Sequence, residues 1–107
     1  MELVTHKKLY LVAGRISRPL AESIAAELGE SLGEPNLADF SNGEIHCRFS
    51  ESIRGSDAFI IQTHCHAGDM SINDALMEHL IMVDAARRAS AKRITVVCPH
   101  YGYARQD

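Results

Sequence analysis

Three short runs of nearly unbroken apolar residues constrain this chain most: Leu9-Tyr10-Leu11-Val12-Ala13, Ala58-Phe59-Ile60-Ile61-Gln62 and Ile94-Thr95-Val96-Val97-Cys98. Each has the length of a strand, and none alternates apolar with polar residues. Such runs suit strands covered on both faces, as in a parallel sheet. Parallel neighbours need long crossovers, and helical patterns stand between the runs. Leu20, Ile24 and Leu28 recur every four residues after the first run, which stops at Gly14. Ser17 stands where an N-cap belongs, Pro19 falls in the first turn and Gly29 can close the helix. Ahead of the third run, Ser71-Ile72-Asn73-Asp74 has the form of a capping box with Asp in place of Glu or Gln. Ile72, Leu76, Leu80 and Val83 form the stripe of this second helix, and Arg87 and Arg88 lie in its last turns, where the helix dipole favours cations.

The segment between the first two runs reads differently. Glu30 to Pro35 is a loop by its Gly33 and Pro35. Leu37 to Phe40 is a short strand, Ser41-Asn42-Gly43-Glu44 carries the Asn-Gly hairpin signal, and Ile45 to Phe49 alternates as the return strand. Glu51 to Asp57 is polar, with a turn at Gly55. With right-handed crossovers, this order predicts an α/β domain: a mostly parallel sheet with flanking helices plus a β-hairpin. Residues 1–107 form one domain. No helix follows Pro99 to cover the last strand, so an incomplete N-terminal domain is expected.

Hydrophobic residues at 46% and charged residues at 23% exclude a disordered chain. A formal charge of −3 argues against nucleic acid as the main partner. No apolar run approaches the about 20 residues of a membrane helix, and Met1 to Lys8 lacks the apolar core of a signal peptide. Cys47, Cys65 and Cys98 have no regular spacing, so they read as free, small buried hydrophobes and a cytoplasmic setting is expected.

Ligands of open α/β sheets bind beyond the carboxyl ends of the strands. Gly14 to Ser17, Thr63 to Met70 and Pro99 to Asp107 occupy those places. In the last, Arg105 can pair with phosphate and Gln106 can hydrogen-bond a ligand; a polar surface loop accounts for the same residues. In the turn Phe40 to Glu44, an aromatic followed by an amide and a carboxylate can stack on a base and bond its edge; a plain hairpin with Phe40 in the core is the other reading. His64-Cys65-His66, with His46, Cys47, Cys98 and His100 as further donors, has residue types that suit zinc. No Cys-x-x-Cys or His-x-x-x-His pair accompanies them, so no metal site is expected. P-loop, Gly-x-Gly-x-x-Gly and Gly-x-Ser-x-Gly signatures are absent.

Several stretches together resemble one family. They are Gly14-Arg15 with Leu20-Ala21-Glu22, Phe40-Ser41-Asn42-Gly43-Glu44-Ile45, Glu51-Ser52-Ile53-Arg54-Gly55, Asn73-Asp74 with Leu76-Met77-Glu78, Leu80 to Ala85, Arg87 to Ile94, and Tyr103-Ala104-Arg105-Gln106-Asp107. From about Leu9 onward the chain is similar to the N-terminal part of ribose-phosphate diphosphokinase, or phosphoribosyl pyrophosphate synthetase. The resemblance implies transfer of the β,γ-pyrophosphoryl group of ATP to the anomeric hydroxyl of ribose 5-phosphate, with Mg²⁺ as cofactor. It implies a phosphoribosyltransferase-like fold in a homo-oligomer. It assigns ATP contacts to Phe40, Asn42, Gly43 and Glu44, on a loop reaching a neighbouring subunit's ATP, and to Arg105 and Gln106. Ser52 and Arg54 match an allosteric phosphate site. The ribose-5-phosphate, pyrophosphate and flexible catalytic loops, and the metal-binding His and Asp, fall beyond Asp107 in the family. No catalytic residue and no Mg²⁺ ligand is therefore expected within 1–107, and the chain alone is expected to be inactive. The alternative is a non-catalytic relative that associates with or regulates the full enzyme.

The chain also departs from the family pattern. His64 to Met70 replaces a loop that usually carries Pro, His79 stands at a usually apolar helix position, and His100 stands where an apolar residue is common.

Overall fold

A computed structural model describes residues 8–106. The elements run β1 (Leu9–Ala13), α1 (Arg18–Leu28), β2 (Pro35–Asp39), β3 (Ile45–Phe49), β4 (Asp57–Ile61), α2 (Ile72–Arg88) and β5 (Arg93–Val97), and a short 3₁₀ turn follows at Ala104–Gln106. The three apolar runs form one parallel sheet in the order β1-β4-β5, with β4 in the middle. Leu9 pairs with Asp57 and Asp57 with Arg93, and the register holds through Ala13, Ile61 and Val97. β2 and β3 form a separate antiparallel hairpin. Among the described residues, no helix is long and apolar enough to cross a membrane.

The sheet's alternate residues face two layers. Tyr10, Val12, Ala58 and Ile60 pack with Ile53, Met82 and Ala86, and the hairpin adds Leu37, Cys47 and Phe49 to this core. The Tyr10 and Phe49 rings meet edge to face at 5.7 Å. On the other face, Ala13 and Ile61 pack against Ala21 of α1. Beside α1 the same face holds an apolar groove of about 160 Å³, lined by Leu9, Leu11, Ile24, Leu28, Phe59, Ile61 and Val97.

Both helices bury faces other than their stripes of large residues. α1 buries Ala21 and Ala25, while Leu20 and Leu28 are exposed. α2 buries Ala75, Glu78, His79, Met82 and Ala86, while Ile72 and Leu80 are exposed. Small residues let the helix backbones approach the strands closely. Glu78 and His79 go inside because polar partners await them there, as buried polar groups require.

β5 is not the fully covered strand its sequence suggests. It lies at the sheet edge, and Val96 is 49% exposed. β2 begins at Pro35 rather than after it, a position proline tolerates at the start of a strand.

The caps divide. Ser71 Oγ accepts the Asp74 N–H at 3.1 Å and Asp74 Oδ2 accepts the Ser71 N–H at 2.9 Å, which completes the capping box. Ser17 makes no cap bond. Its hydroxyl accepts the Thr63 N–H at 2.7 Å, tying the start of α1 to the end of β4. Gly29 closes α1 in the left-handed region at φ 68°. Gly14 is required by space: a Cβ there would stand 2.3 Å from the buried Gln62 amide.

Candidate functional site

The segments at the carboxyl ends of the parallel strands are bonded to one another. Thr63 reaches Ser17, the His64 N–H donates to the His100 carbonyl at 2.9 Å, and the Gly102 N–H donates to His64 Nδ1 at 2.9 Å. The Tyr103 hydroxyl donates to Asn73 Oδ1 at the start of α2. Tyr103 itself holds φ 67°, a conformation that side chains other than Gly rarely adopt.

Beneath these loops lies a buried ionic cluster. Glu78 is fully buried. Its Oε2 accepts from Arg15 Nε at 2.6 Å, and its Oε1 accepts from the Arg15 N–H at 2.7 Å and from Gln62 Nε2 at 3.0 Å. Arg15 also donates to Asp39 Oδ1 at 2.9 Å. One guanidinium thus joins the loop after β1, the middle of α2 and the hairpin.

A second buried cluster joins His64, His79 and Cys98. His64 Nε2 is 3.0 Å from His79 Nδ1, and Cys98 Sγ is 3.3 Å from His64 Nε2 and 3.6 Å from His79 Nδ1. His79 Nε2 donates to the Ile60 carbonyl at 2.8 Å. Burial lowers the pKa of His64, helped by the nearby His79 and His100. Burial also lowers that of His79, opposed by the Ile60 carbonyl and Glu78. Burial raises the Cys98 thiol. The sequence grouped His64 and Cys98 among seven scattered donors and set His79 apart as an anomaly. Among the described residues this trio is the one group with ligand atoms clustered closely enough to hold a metal.

The candidate nucleotide contacts stand on two neighbouring clefts. At the hairpin tip, the Gly43 N–H donates to the Phe40 carbonyl at 2.9 Å and the Phe40 N–H to the Glu44 carbonyl at 2.7 Å, with Gly43 at φ 94°. Asn42 accepts from the Glu44 N–H at 3.0 Å and donates to the Glu44 carboxylate. Phe40 is 54% exposed, with its ring 5.4 Å from the His46 ring, so it is no core residue. Asn42, Gly43 and Glu44 border a cleft of about 440 Å³ with Asp74 and Met77. Arg105 borders another, of about 460 Å³, with Ser71, Asn73 and Tyr103. The first turn of α2 separates the two. The Gln106 side chain lies outside the described residues. Ser52 and Arg54 precede β4, at the opposite, amino end of the sheet. Ser52 borders a cleft of about 390 Å³ with Arg48 and Arg88, and the exposed Arg54 does not line it.

Residues 9–107 match the N-terminal domain of ribose phosphate pyrophosphokinase. The chain belongs to that family. The ribose-phosphate pyrophosphokinase of Bifidobacterium longum is 52% identical over 101 residues, covering 94% of this chain and 28% of that protein. That of Corynebacterium efficiens is 50% identical over 102 residues, covering 95% of this chain and 30% of its own length. The crystal structure of phosphoribosylpyrophosphate synthetase from Mycobacterium smegmatis superimposes with a TM-score of 0.87 at 50% identity, covering 94% of this chain and 33% of that one. The chain thus spans about 30% of the length of these curated relatives. The mostly parallel sheet with flanking helices and a hairpin is the fold of this family's N-terminal portion.

Proposed function

We propose that residues 1–107 are an N-terminal domain that supplies the ATP-facing part of an enzyme transferring pyrophosphate from ATP to ribose 5-phosphate, with phosphoribosyl pyrophosphate and AMP as products. Membership of the ribose phosphate pyrophosphokinase family supports the reaction class. The observation that carries the chain's own role is Phe40: a large aromatic held out at 54% exposure by a tightly bonded turn, available to stack on adenine. Asn42 and Glu44 beside it offer an amide and a carboxylate to a base edge. Arg105 offers a guanidinium to phosphate. By resemblance to the family, the Phe40 to Glu44 loop reaches the ATP of a neighbouring subunit, so a homo-oligomer is part of this reading. By the same resemblance we assign Ser52 and Arg54 to an allosteric phosphate site, for which the cleft that Ser52 borders offers Arg48 and Arg88 as further cations.

The reaction's Mg²⁺ would neutralise charge on the transferring phosphates. Mg²⁺ prefers oxygen ligands, so the His64, His79 and Cys98 trio does not suit it. By resemblance to the family, we assign the Mg²⁺ ligands, the ribose 5-phosphate site and the catalytic groups to the part of the relatives that these 107 residues do not match, and the reaction to the cytoplasm.

The test is AMP release that depends on ribose 5-phosphate, in preparations free of host enzyme. A protein in which these 107 residues precede a family catalytic region should show it, and the 107 residues alone should not. Activity of the 107 residues alone would overturn the assignment of catalytic groups. Lack of activity in the longer protein would favour the non-catalytic relative.

A further inference from the structure

We propose that His64, His79 and Cys98 form a binding site for a thiophilic divalent cation of the zinc class. The argument is independent of the pyrophosphokinase reading. Tetrahedral zinc with Zn–N of about 2.0–2.1 Å and Zn–S of about 2.3 Å holds its nitrogens about 3.3 Å apart and each nitrogen about 3.5 Å from sulfur. The corresponding separations here are 3.0 Å between the nitrogens and 3.3 and 3.6 Å to Cys98 Sγ. Three donors therefore already stand near three corners of a tetrahedron. They come from the segment after β4, the middle of α2 and the residue after β5, so the fold rather than a local motif brings them together. Both imidazoles are buried and Cys98 is half-buried.

The surrounding bonds favour this assignment on one side and link it to the loop on the other. His79 Nε2 donates to the Ile60 carbonyl, the outer bond that orients a ligating histidine and aims its Nδ1 lone pair at the site. His64 Nδ1 accepts the Gly102 N–H, so without a cation its proton resides on Nε2 and is donated to His79 Nδ1. Cation binding balances as follows. Cys98 loses its thiol proton to solvent and binds as thiolate. The His64 proton leaves Nε2 and an equal proton is taken up on Nδ1, where it meets the Gly102 N–H. Gly102 must then release His64, so the cation and the docked Tyr101–Arg105 segment compete. The soft sulfur and imidazole donors select zinc-like ions over Mg²⁺ or Ca²⁺.

The experiment is titration of the reduced, metal-free chain with Co²⁺, followed by displacement with Zn²⁺. One equivalent of Co²⁺ should give a thiolate-to-cobalt charge-transfer band and the intense ligand-field bands of tetrahedral cobalt, and Zn²⁺ should remove both. Cys98→Ser should abolish the charge-transfer band, and Cys65→Ser should leave it. His79→Gln should weaken Zn²⁺ binding by more than the roughly 10–100-fold that loss of an outer-shell partner costs. Absence of the charge-transfer band in the unaltered chain overturns the proposal without recourse to any variant. So does a band that survives Cys98→Ser, or Zn²⁺ affinity unchanged in a folded His79→Gln protein.

Discussion

Replacing Glu78 by Gln changes little in shape and removes a charge from a fully buried position. The carboxylate accepts from two donors at Oε1 and from Arg15 Nε at Oε2. A glutamine oxygen can take over the Oε1 pair, but its NH₂ then faces the Arg15 Nε–H, donor against donor. Turned over, it confronts the Arg15 N–H and Gln62 with the NH₂. Gln62 can relieve half of that by flipping, because its own oxygen is buried without a protein partner. At least one charge-assisted bond is lost in either case, worth about 1.5–3 kcal/mol. Breaking a buried pair costs about 3–5 kcal/mol. Arg15 is 31% exposed and keeps Asp39, which moderates the penalty. Glu78→Gln should therefore destabilise the fold by about 2–3 kcal/mol. Urea unfolding is the assay, with an unchanged denaturant slope as evidence that the loss lies in the folded state. Pairing Glu78→Leu with Arg15→Met should cost less than the two changes separately, since no charge is left behind. A Glu78→Gln loss below about 1 kcal/mol would refute the account of this cluster as a buried clamp.

Three further outcomes are expected. Ser71→Ala removes the capping hydroxyl of α2 and should cost about 0.5–2 kcal/mol by the same urea assay, with the helix intact by circular dichroism. Asp74 has its carboxyl held below its ordinary value of 3.8 by the backbone bond from Ser71. Its contribution is fully present above that value and is lost as pH falls through the lowered one, so wild-type stability should drop there more steeply than that of Asp74→Asn. The isolated chain should self-associate through the Phe40 to Glu44 turn or the β5 edge, where Val96 is exposed on one face and Val97 lines the apolar groove on the other; a monodisperse monomer by light scattering at high micromolar concentration would contradict this.

The strands were legible as continuous apolar runs, and Leu9–Ala13, Asp57–Ile61 and Arg93–Val97 answer to them within one residue, although only β1 and β4 are well buried and β5 is an edge strand. The hairpin and the capping box were equally legible, since both are local chemistry. The helix faces were not. Periodicity weighs side-chain size, and the buried positions of α2 are Ala75, Glu78, His79, Met82 and Ala86, where small size or a distant polar partner decides. Ser17 misled for a related reason: its cap-like position in sequence is spent on Thr63, 46 residues away. The His64, His79 and Cys98 trio leaves no spacing signal because three different elements deliver it. The separation of the hairpin tip from Arg105 by the first turn of α2 likewise exists only in three dimensions.

The central claim, that the exposed hairpin aromatic is an adenine platform, is tested most directly by ATP affinity measured calorimetrically. The protein is one in which these residues precede the family's catalytic region, compared with its Phe40→Ala variant. Base–aromatic stacking is worth about 1–3 kcal/mol, so the variant should bind ATP roughly 5–150-fold more weakly. Its unfolding midpoint should hardly move, because Phe40 lies outside the core. Unchanged ATP affinity in a folded Phe40→Ala protein would contradict the account and leave the hairpin tip a structural turn.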